Sequence, residues 1–129
     1  NKIISAVIKK LNKNKIRTSL FINPNLEDIK LAKKIESRCI EIHTGIISNK
    51  IKNKQSYVKD LENIKKCAKL GKLLGLEVHA GHGIDYKTAK ILSRIKEIEE
   101  FNIGHFIIGE SIFDGFKHTI KKFKRIIKS

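Results

Sequence analysis

Short apolar segments that alternate with longer amphipathic ones are the feature that most limits the fold of this chain. Four short runs of apolar and β-branched residues, bounded by residues typical of turns, predict strands at 17–22, 39–43, 77–81 and 101–104. Apolar residues that recur every three or four positions predict helices at 3–11, 26–36, 56–74, 87–98 and, as one closing helix, through 112–127. Asn25 is suited to cap the second helix and Gly75 to end the third, and a polar loop is predicted between Gly45 and the helix that starts at 56.

This alternation of strand and helix predicts an α/β fold built on a parallel sheet. Two architectures fit: a doubly wound sheet of four or five strands, and half of an eight-stranded (β/α)8, or TIM, barrel. A doubly wound fold usually has a glycine-rich turn after its first strand, where this chain has Asn23-Pro24-Asn25. The glycines instead follow the third and fourth strands, and barrels often bind phosphate at the loops after their last two strands. We therefore expect the C-terminal half of a TIM barrel, with about four parallel strands that alternate with helices.

The length of 129 residues suits one ordinary domain, so we expect a single, partial domain over 1–129. The chain has no methionine and enters directly into a helical pattern, which reads as a piece of a longer chain. Cys39 and Cys67 lack metal-type spacing and are expected to be reduced. No apolar run reaches the ~20 residues of a membrane helix, and no signal-peptide pattern is present. These features predict a soluble, cytoplasmic protein.

A formal net charge of +15 raises the question of a nucleic-acid partner. Of the 28 basic residues only four are arginines, and the lysines are spread along every segment. The chain also lacks an RNA-binding aromatic motif, an arginine-rich arm and a zinc-finger spacing. We expect solvated lysine faces and no nucleic-acid or membrane partner, in a field that favours small anionic substrates.

Glycine and histidine residues come together at the ends of the third and fourth predicted strands. Backbone N–H groups at a helix start hold phosphate oxygens, and a glycine lets the main chain approach the anion closely. Gly83, Gly104 and His105 lie where such N–H groups are expected, and we predict a phosphate site there. A simple tight turn is the other explanation for each glycine.

A carboxylate and a histidine complete the predicted site. Glu41 and His43 point to the same face of a strand, and a charged glutamate among apolar neighbours needs a partner or a chemical role. His82, just beyond the next strand, is the partner expected within reach, and a histidine can donate a proton to a leaving oxygen. A metal site made of His43, His79, His82 and His105 is a second interpretation, although their spacing is not typical of metal ligands.

Four motifs, in this order and spacing, resemble the C-terminal half of the pyridoxine 5'-phosphate synthase family. They are SLFINPN, IEIHTG, LGLEVHAGHGI and FNIGHFIIG, which together extend over nearly the whole chain. The resemblance implies a TIM barrel of roughly twice this length, assembled into a homo-oligomer that is usually an octamer. It also implies a reaction of vitamin B6 biosynthesis that uses no metal or organic cofactor. In that reaction, 3-amino-2-oxopropyl phosphate and 1-deoxy-D-xylulose 5-phosphate condense to pyridoxine 5'-phosphate, with release of phosphate and water.

By motif position, the resemblance assigns roles to residues that the pattern had already singled out. His82 matches the proton donor of the family, and Glu41 matches its transition-state-stabilising glutamate. Gly83, Gly104 and His105 match substrate-binding positions on the phosphate side. The general bases of the family, a histidine and a glutamate, belong to an N-terminal half, so this chain alone is expected to hold only part of the catalytic set.

Three positions depart from the family pattern. Asn23 stands where the family commonly has aspartate, His79 where it commonly has asparagine, and Glu110 where relatives often have a basic or small residue. Glu110 is expected to bring negative charge near the phosphate loop and to weaken that site. The alternative function, from a different class, is a non-catalytic phosphate-binding or assembly half-barrel that has lost turnover.

Overall fold

A computed structural model describes residues 2–128 of the chain. Helices and strands alternate along these residues as predicted. In chain order the elements are α1 (Lys2–Lys13), β1 (Ser19–Ile22), α2 (Leu26–Lys34), β2 (Cys39–His43), α3 (Gly45–Lys52), α4 (Val58–Leu73), β3 (Glu77–Gly81), α5 (Tyr86–Leu92), β4 (Glu100–Asn102), α6 (His105–Asp114) and α7 (Phe116–Lys128). None of the helices within this described part is both long and apolar enough to cross a membrane.

The four strands form one parallel sheet in the order β1-β2-β3-β4. Each strand pairs with the next one along the chain, as in the pairs of Leu20 with Ile40, Ile40 with Val78, and Ala80 with Phe101. Parallel neighbours need a crossover connection, which α2, then α3 with α4, and then α5 provide. A parallel sheet whose strands follow chain order is the arrangement found in half of a (β/α)8 barrel, and the predicted fold class is confirmed.

Helices cover one face of the sheet and form the hydrophobic core with it. Alternate strand residues, among them Ile40, Ile42, Val78 and Ala80, are fully buried in this core. Helix α4 approaches β2 and β3 closely because Gly71 has no side chain. A Cβ at that position would lie 2.9 Å from Cγ2 of Val78 and 3.0 Å from Cδ1 of Ile40.

The opposite face of the sheet is polar. Glu41 and His43 alternate with the buried isoleucines of β2 and are only half-buried. On β3, His79 lies beside Glu41, and Gly81 lies beside His43. In a closed barrel this face lines the interior. The sheet therefore has the residues of the hydrophobic core on one face and its ionisable residues on the other.

Residues 45–52 form helix α3 instead of the predicted polar loop. Ile47 and Ile51, four positions apart, are buried in the core. This packing stabilises a helix in a segment whose polar residues otherwise favour a loop. The backbone of α3 starts directly after Thr44 at the end of β2. One face of α3 therefore lies next to the carboxyl ends of the strands.

Three other boundaries differ from the prediction. The helix predicted over 87–98 ends at Leu92, and β4 covers only Glu100–Asn102. The single closing helix is in fact two helices, α6 and α7. Gly115 separates them, with a φ of 78° that ends the helical path and that favours glycine.

Candidate functional site

A cavity of about 750 Å³ lies at the carboxyl ends of the strands. Its lining includes every residue that the sequence analysis predicted for the site: Glu41, His82, Gly83, Gly104 and His105. These residues come from β2, from the loop between β3 and α5, and from the start of α6. The parallel sheet brings them together because all of its strands end at the same edge.

Glu41 is held in position by the two strands that follow it. Its Oε2 accepts a hydrogen bond of 2.6 Å from Nδ2 of Asn102, on β4. Its Oε1 lies over Gly81 of β3, where an added Cβ would overlap this oxygen. Among the described residues the hydrogen-bond partner of Glu41 is thus Asn102, which corrects the predicted pairing with His82.

The backbone turns sharply at His82, directly after β3. The φ of His82 is 78°, in the left-handed region that costs a residue with a Cβ about 1–2 kcal/mol. Buried Thr44 stabilises this turn, since its Oγ1 lies 2.7 Å from the carbonyl oxygen of Gly81 and 2.9 Å from that of His82. Gly83 follows with a φ of 74°, so the turn contains two left-handed residues in succession.

Gly83 is confined by α3 as well as by its own backbone conformation. A Cβ at this position would lie 3.2 Å from Cβ of Ser48 and 3.4 Å from its Oγ. The same helix also contributes Ser48, Asn49 and Lys52 to the lining of the cavity. These three residues were not predicted for the site because the polar residues of this segment favour a loop, although the four-residue spacing of Ile47 and Ile51 is that of a helix. Lys52 brings a positive charge to the cavity.

The ring of His82 packs against a second histidine. Its centroid lies 4.9 Å from that of His43, and the ring of Phe21 meets His43 edge-on with centroids 5.1 Å apart. Burial lowers the pKa of His43 below its usual 6.5, and the nearby His82 lowers it further, while Glu41 acts in the opposite direction. His43 is therefore neutral at neutral pH and serves as an aromatic support for His82.

Helix α6 opens onto the cavity with its N-terminus. Gly104 is the N-cap, and no side chain within residues 2–128 caps the helix. In α5, by contrast, Oδ1 of Asp85 accepts a hydrogen bond of 2.7 Å from the N–H of Thr88. A Cβ placed on Gly104 would meet no described atom within 4 Å, so the backbone there is accessible. The first N–H groups of a helix attract anions when no side chain satisfies them. The start of α6 is therefore suited to hold a phosphate group.

Two other sequence-based expectations concern Glu110 and the alternative metal site. Glu110 lies in the second turn of α6, outside the set of residues that line the cavity. Within residues 2–128, the one group of three or more histidine, cysteine or acidic side chains spaced for a shared metal ion is Cys39, Glu77 and His79. The alternative metal site built from four histidines is therefore not formed among these residues: the rings of His43 and His82 pack together, but His79 groups with Cys39 and Glu77 instead.

Comparison with known proteins agrees with this geometry. A family model described as "Pyridoxal phosphate biosynthesis protein PdxJ" matches residues 1–129. The chain is 62% identical over 125 residues to the pyridoxine 5'-phosphate synthase of Pelagibacter ubique (strain HTCC1062), a match that covers 97% of this chain and 52% of that protein. It is 46% identical over 121 residues to the pyridoxine 5'-phosphate synthase of Sulfurihydrogenibium sp. (strain YO3AOP1), covering 93% of this chain and 49% of that protein.

The chain spans about half the length of these curated relatives. The resemblance that its four motifs carry is confirmed, because the family model extends over all of them. The chain belongs to the PdxJ family of pyridoxal phosphate biosynthesis proteins.

Proposed function

We propose that the protein containing this chain is a pyridoxine 5'-phosphate synthase. It condenses 3-amino-2-oxopropyl phosphate with 1-deoxy-D-xylulose 5-phosphate, and releases phosphate and water. One observation carries the proposal: Glu41, His82, Gly83, Gly104 and His105 line a single cavity at the carboxyl ends of parallel strands. That end of a (β/α)8 barrel is where such enzymes bind their substrates. The names of the relatives from Pelagibacter ubique and Sulfurihydrogenibium support the same reaction.

His82 is the proton donor in this proposal. It is exposed at the cavity, and an imidazole can give up and regain a proton near neutral pH. Ring closure has to expel a hydroxyl group, which leaves as water only after protonation. Neutral His43 supports the His82 ring from one side, and Thr44 fixes the backbone that carries it. The donor is therefore held in position before the substrate arrives.

Glu41 stabilises the positive charge that develops on iminium-like intermediates. Asn102 holds one carboxylate oxygen, and β3 limits the space around the other. A negative charge that is already oriented stabilises a transition state without reorganisation during the reaction. Glu41 thus acts electrostatically, while His82 moves the proton.

The phosphate groups of the substrates bind at the two glycine turns. The start of α6 is uncapped, so the N–H groups at Gly104 and His105 are available to bind a phosphate group. The backbone at Gly83 lines the same cavity and can approach the phosphate closely. Lys52 adds a positive charge on the α3 side. The excess of basic residues over the whole chain, 28 against 13 acidic ones, raises the local concentration of such anions.

In this proposal residues 1–129 are one domain, the C-terminal half of the barrel. Strands β1 and β4 are the edges of the sheet, and an exposed parallel edge has unpaired N–H and C=O groups that favour pairing. An N-terminal half that closes the barrel satisfies both edges and contributes the general bases. The assembled enzyme is a cytoplasmic homo-oligomer whose partners are its small phosphorylated substrates, with no nucleic acid, and its reaction uses no metal or organic cofactor.

The test is the formation of pyridoxine 5'-phosphate from the two substrates. We would assay this chain alone and after mixing it with the N-terminal half of the Pelagibacter ubique relative. Product on mixing, and none from either half alone, is the expected result. Association of the halves without product would instead favour the non-catalytic phosphate-binding module.

A pair of histidine variants assigns the chemistry within the active mixture. His82→Ala is expected to lower the rate at least about 100-fold, the usual contribution of a positioned general acid, and to leave binding of inorganic phosphate nearly unchanged. His118→Ala is the matched control, because it removes an exposed histidine on α7. Equal activity of the two variants would contradict the role of His82.

A further inference from the structure

A second group of ionisable side chains lies at the amino ends of β2 and β3, on the polar face of the sheet. Cys39 and Glu77 are the first residues of the two strands and are partners in the sheet register. His79 follows two residues after Glu77 and points to the same face. None of the three residues belongs to the lining of the cavity. The group is thus separate from the site proposed for the reaction.

The ligand atoms of the three side chains converge. Sγ of Cys39 donates a hydrogen bond of 3.3 Å to Oε2 of Glu77, and Nε2 of His79 lies 3.8 Å from the same oxygen. All three ligand atoms lie within 4.8 Å of one another. Around a tetrahedral Zn²⁺ with Zn–S near 2.3 Å and Zn–N or Zn–O near 2.0 Å, neighbouring ligand atoms lie about 3.3–3.5 Å apart. Two of the observed separations, 3.3 and 3.8 Å, are close to this range, and the third, at most 4.8 Å, shortens when the side chains enclose a metal ion.

A carboxylate lies near the other nitrogen of the His79 ring. Its Nδ1 lies 3.7 Å from Oε1 of Glu100, on β4, and the His79 side chain is only 3% exposed. A histidine that binds a metal through one nitrogen commonly donates the other N–H to a carboxylate, which fixes its tautomer and orientation. Glu100 is the carboxylate within reach of Nδ1 for this role, while Glu77 lies near the other nitrogen, Nε2.

We propose that Cys39, Glu77 and His79 bind a divalent transition metal that prefers thiolate and imidazole ligands, Zn²⁺ above all. Three protein ligands leave a fourth position to water, and Glu100 orients His79. On coordination, the Cys39 thiol releases its proton to solvent, and the metal takes its place beside Glu77. The ion links β2 and β3 at their amino ends and stabilises the folded chain. This role does not depend on the function proposed for the cavity.

Arg17 is the cation that already interacts with these carboxylates. Its Nη1 lies 2.9 Å from Oε2 of Glu77, and its Nη2 lies 3.5 Å from Oε2 of Glu100. The Arg17 side chain is about half exposed, so it can move away from the site. A guanidinium and a metal ion compete for the same negative charge. Removal of Arg17 is therefore expected to tighten metal binding, the opposite of what removal of a ligand does.

The test is a titration of the protein that contains this chain with Co²⁺, followed by competition with Zn²⁺. Co²⁺ coordinated by a thiolate has a charge-transfer absorption band that carboxylate and imidazole ligands alone do not produce. We expect this band to saturate at one Co²⁺ per chain and to disappear when Zn²⁺ is added. Cys39→Ser should lose the band, whereas the matched control Cys67→Ser, which replaces the other buried cysteine, should keep it.

Further variants keep the test decisive if Cys39→Ser does not fold. His79→Asn should weaken Zn²⁺ binding more than tenfold, Glu100→Gln should weaken it about 10–100-fold, and Arg17→Gln should strengthen it. Zn²⁺ should raise the melting temperature of the unaltered protein and of Arg17→Gln, but not that of His79→Asn. The absence of a thiolate band in the unaltered protein, or unchanged Zn²⁺ affinity in His79→Asn, would overturn the proposal.

Discussion

The carboxylate of Glu41 lies directly over Gly81 of the neighbouring strand. In the register of β2 and β3, Glu41 pairs with His79, and Gly81 is the next residue on the same face. The absence of a side chain at Gly81 creates the space that the Glu41 carboxylate occupies, because a Cβ there would overlap Oε1. The position of a reactive carboxylate on one strand thus depends on a glycine on the next.

Gly81→Ala is expected to displace Glu41 and to lower the rate of pyridoxine 5'-phosphate formation. A misplacement of about 1 Å at a reacting group can cost on the order of 100-fold, and we expect a loss of that size. Gly109→Ala is the control, since Gly109 lies within α6 and a Cβ there would meet no described atom within 4 Å. That variant should keep its activity and gain about 0.5–1 kcal/mol in free energy of unfolding. Full activity of Gly81→Ala would contradict the proposed position of Glu41.

Asn102→Asp tests the other contact of Glu41. The substitution keeps the size of the side chain and replaces the N–H donor with a carboxylate, which repels Glu41 across the present 2.6 Å hydrogen bond. We expect the rate of product formation to fall about tenfold or more, because Glu41 loses its fixed orientation. Asn63→Asp is the matched control, since Asn63 donates a hydrogen bond of 2.6 Å to the carbonyl oxygen of Pro24 at an exposed site. Equal rates for the two variants would show that Asn102 does not position Glu41.

The strand pattern, and which side chains alternate between the core and the polar face, could be predicted because they depend on local sequence. Ile40 and Ile42 alternate with Glu41 and His43, and this alternation alone determines which residues face the core. The capping role of Asn25 is equally local, and it is confirmed by the hydrogen bond of 2.8 Å that its Oδ1 accepts from the N–H of Glu27. The gathering of the site residues at one cavity follows from the parallel topology.

Contacts between strands could not be predicted in the same way. Asn102 becomes the partner of Glu41 only through the registers of both β2 with β3 and β3 with β4, which no local pattern encodes. The pairing of Cys39 with Glu77 depends on register for the same reason. Helix α3 was not predicted because two isoleucines in eight residues are a weak sequence signal for a helix. Tertiary packing provides most of the stability of such a short helix.

Thr44→Val tests how the left-handed turn at His82 is maintained. Valine has nearly the same shape as threonine but cannot donate a hydrogen bond to the carbonyl oxygens of Gly81 and His82. We expect the free energy of unfolding, measured in urea, to fall by about 0.5–1.5 kcal/mol, because the hydroxyl hydrogen bond is lost, while the carbonyl oxygen of Gly81 keeps the backbone N–H of Thr44 as a donor. Thr119→Val is the control, since the hydroxyl of buried Thr119 makes only a 3.1 Å bond to the carbonyl oxygen of Gly115 next to its own helix. A loss of stability no larger than that of the control would exclude this role for Thr44.

His43 is expected to make the folded state less stable in mild acid. Burial, together with the nearby His82, lowers the pKa of His43 in the folded chain below the value of about 6.5 that it has when unfolded. Between these two values the unfolded chain binds more protons than the folded chain, so the free energy of unfolding falls as the pH decreases through this window. Above pH 6.5 this contribution is fully present, and it stops changing once the pH is below the folded pKa.

The measurement is urea unfolding at a series of pH values, for the unaltered protein and for His43→Gln. Glutamine does not titrate in this range, so the variant should lose less stability than the unaltered protein as the pH falls below 6.5. The quantity to compare is the slope with pH, because the loss of ring contacts with Phe21 and His82 also lowers the stability of the variant at every pH. His118→Gln should keep the original slope, since it replaces an exposed histidine on α7. Identical slopes in the unaltered protein and His43→Gln would show that the folded structure does not disfavour protonation of His43.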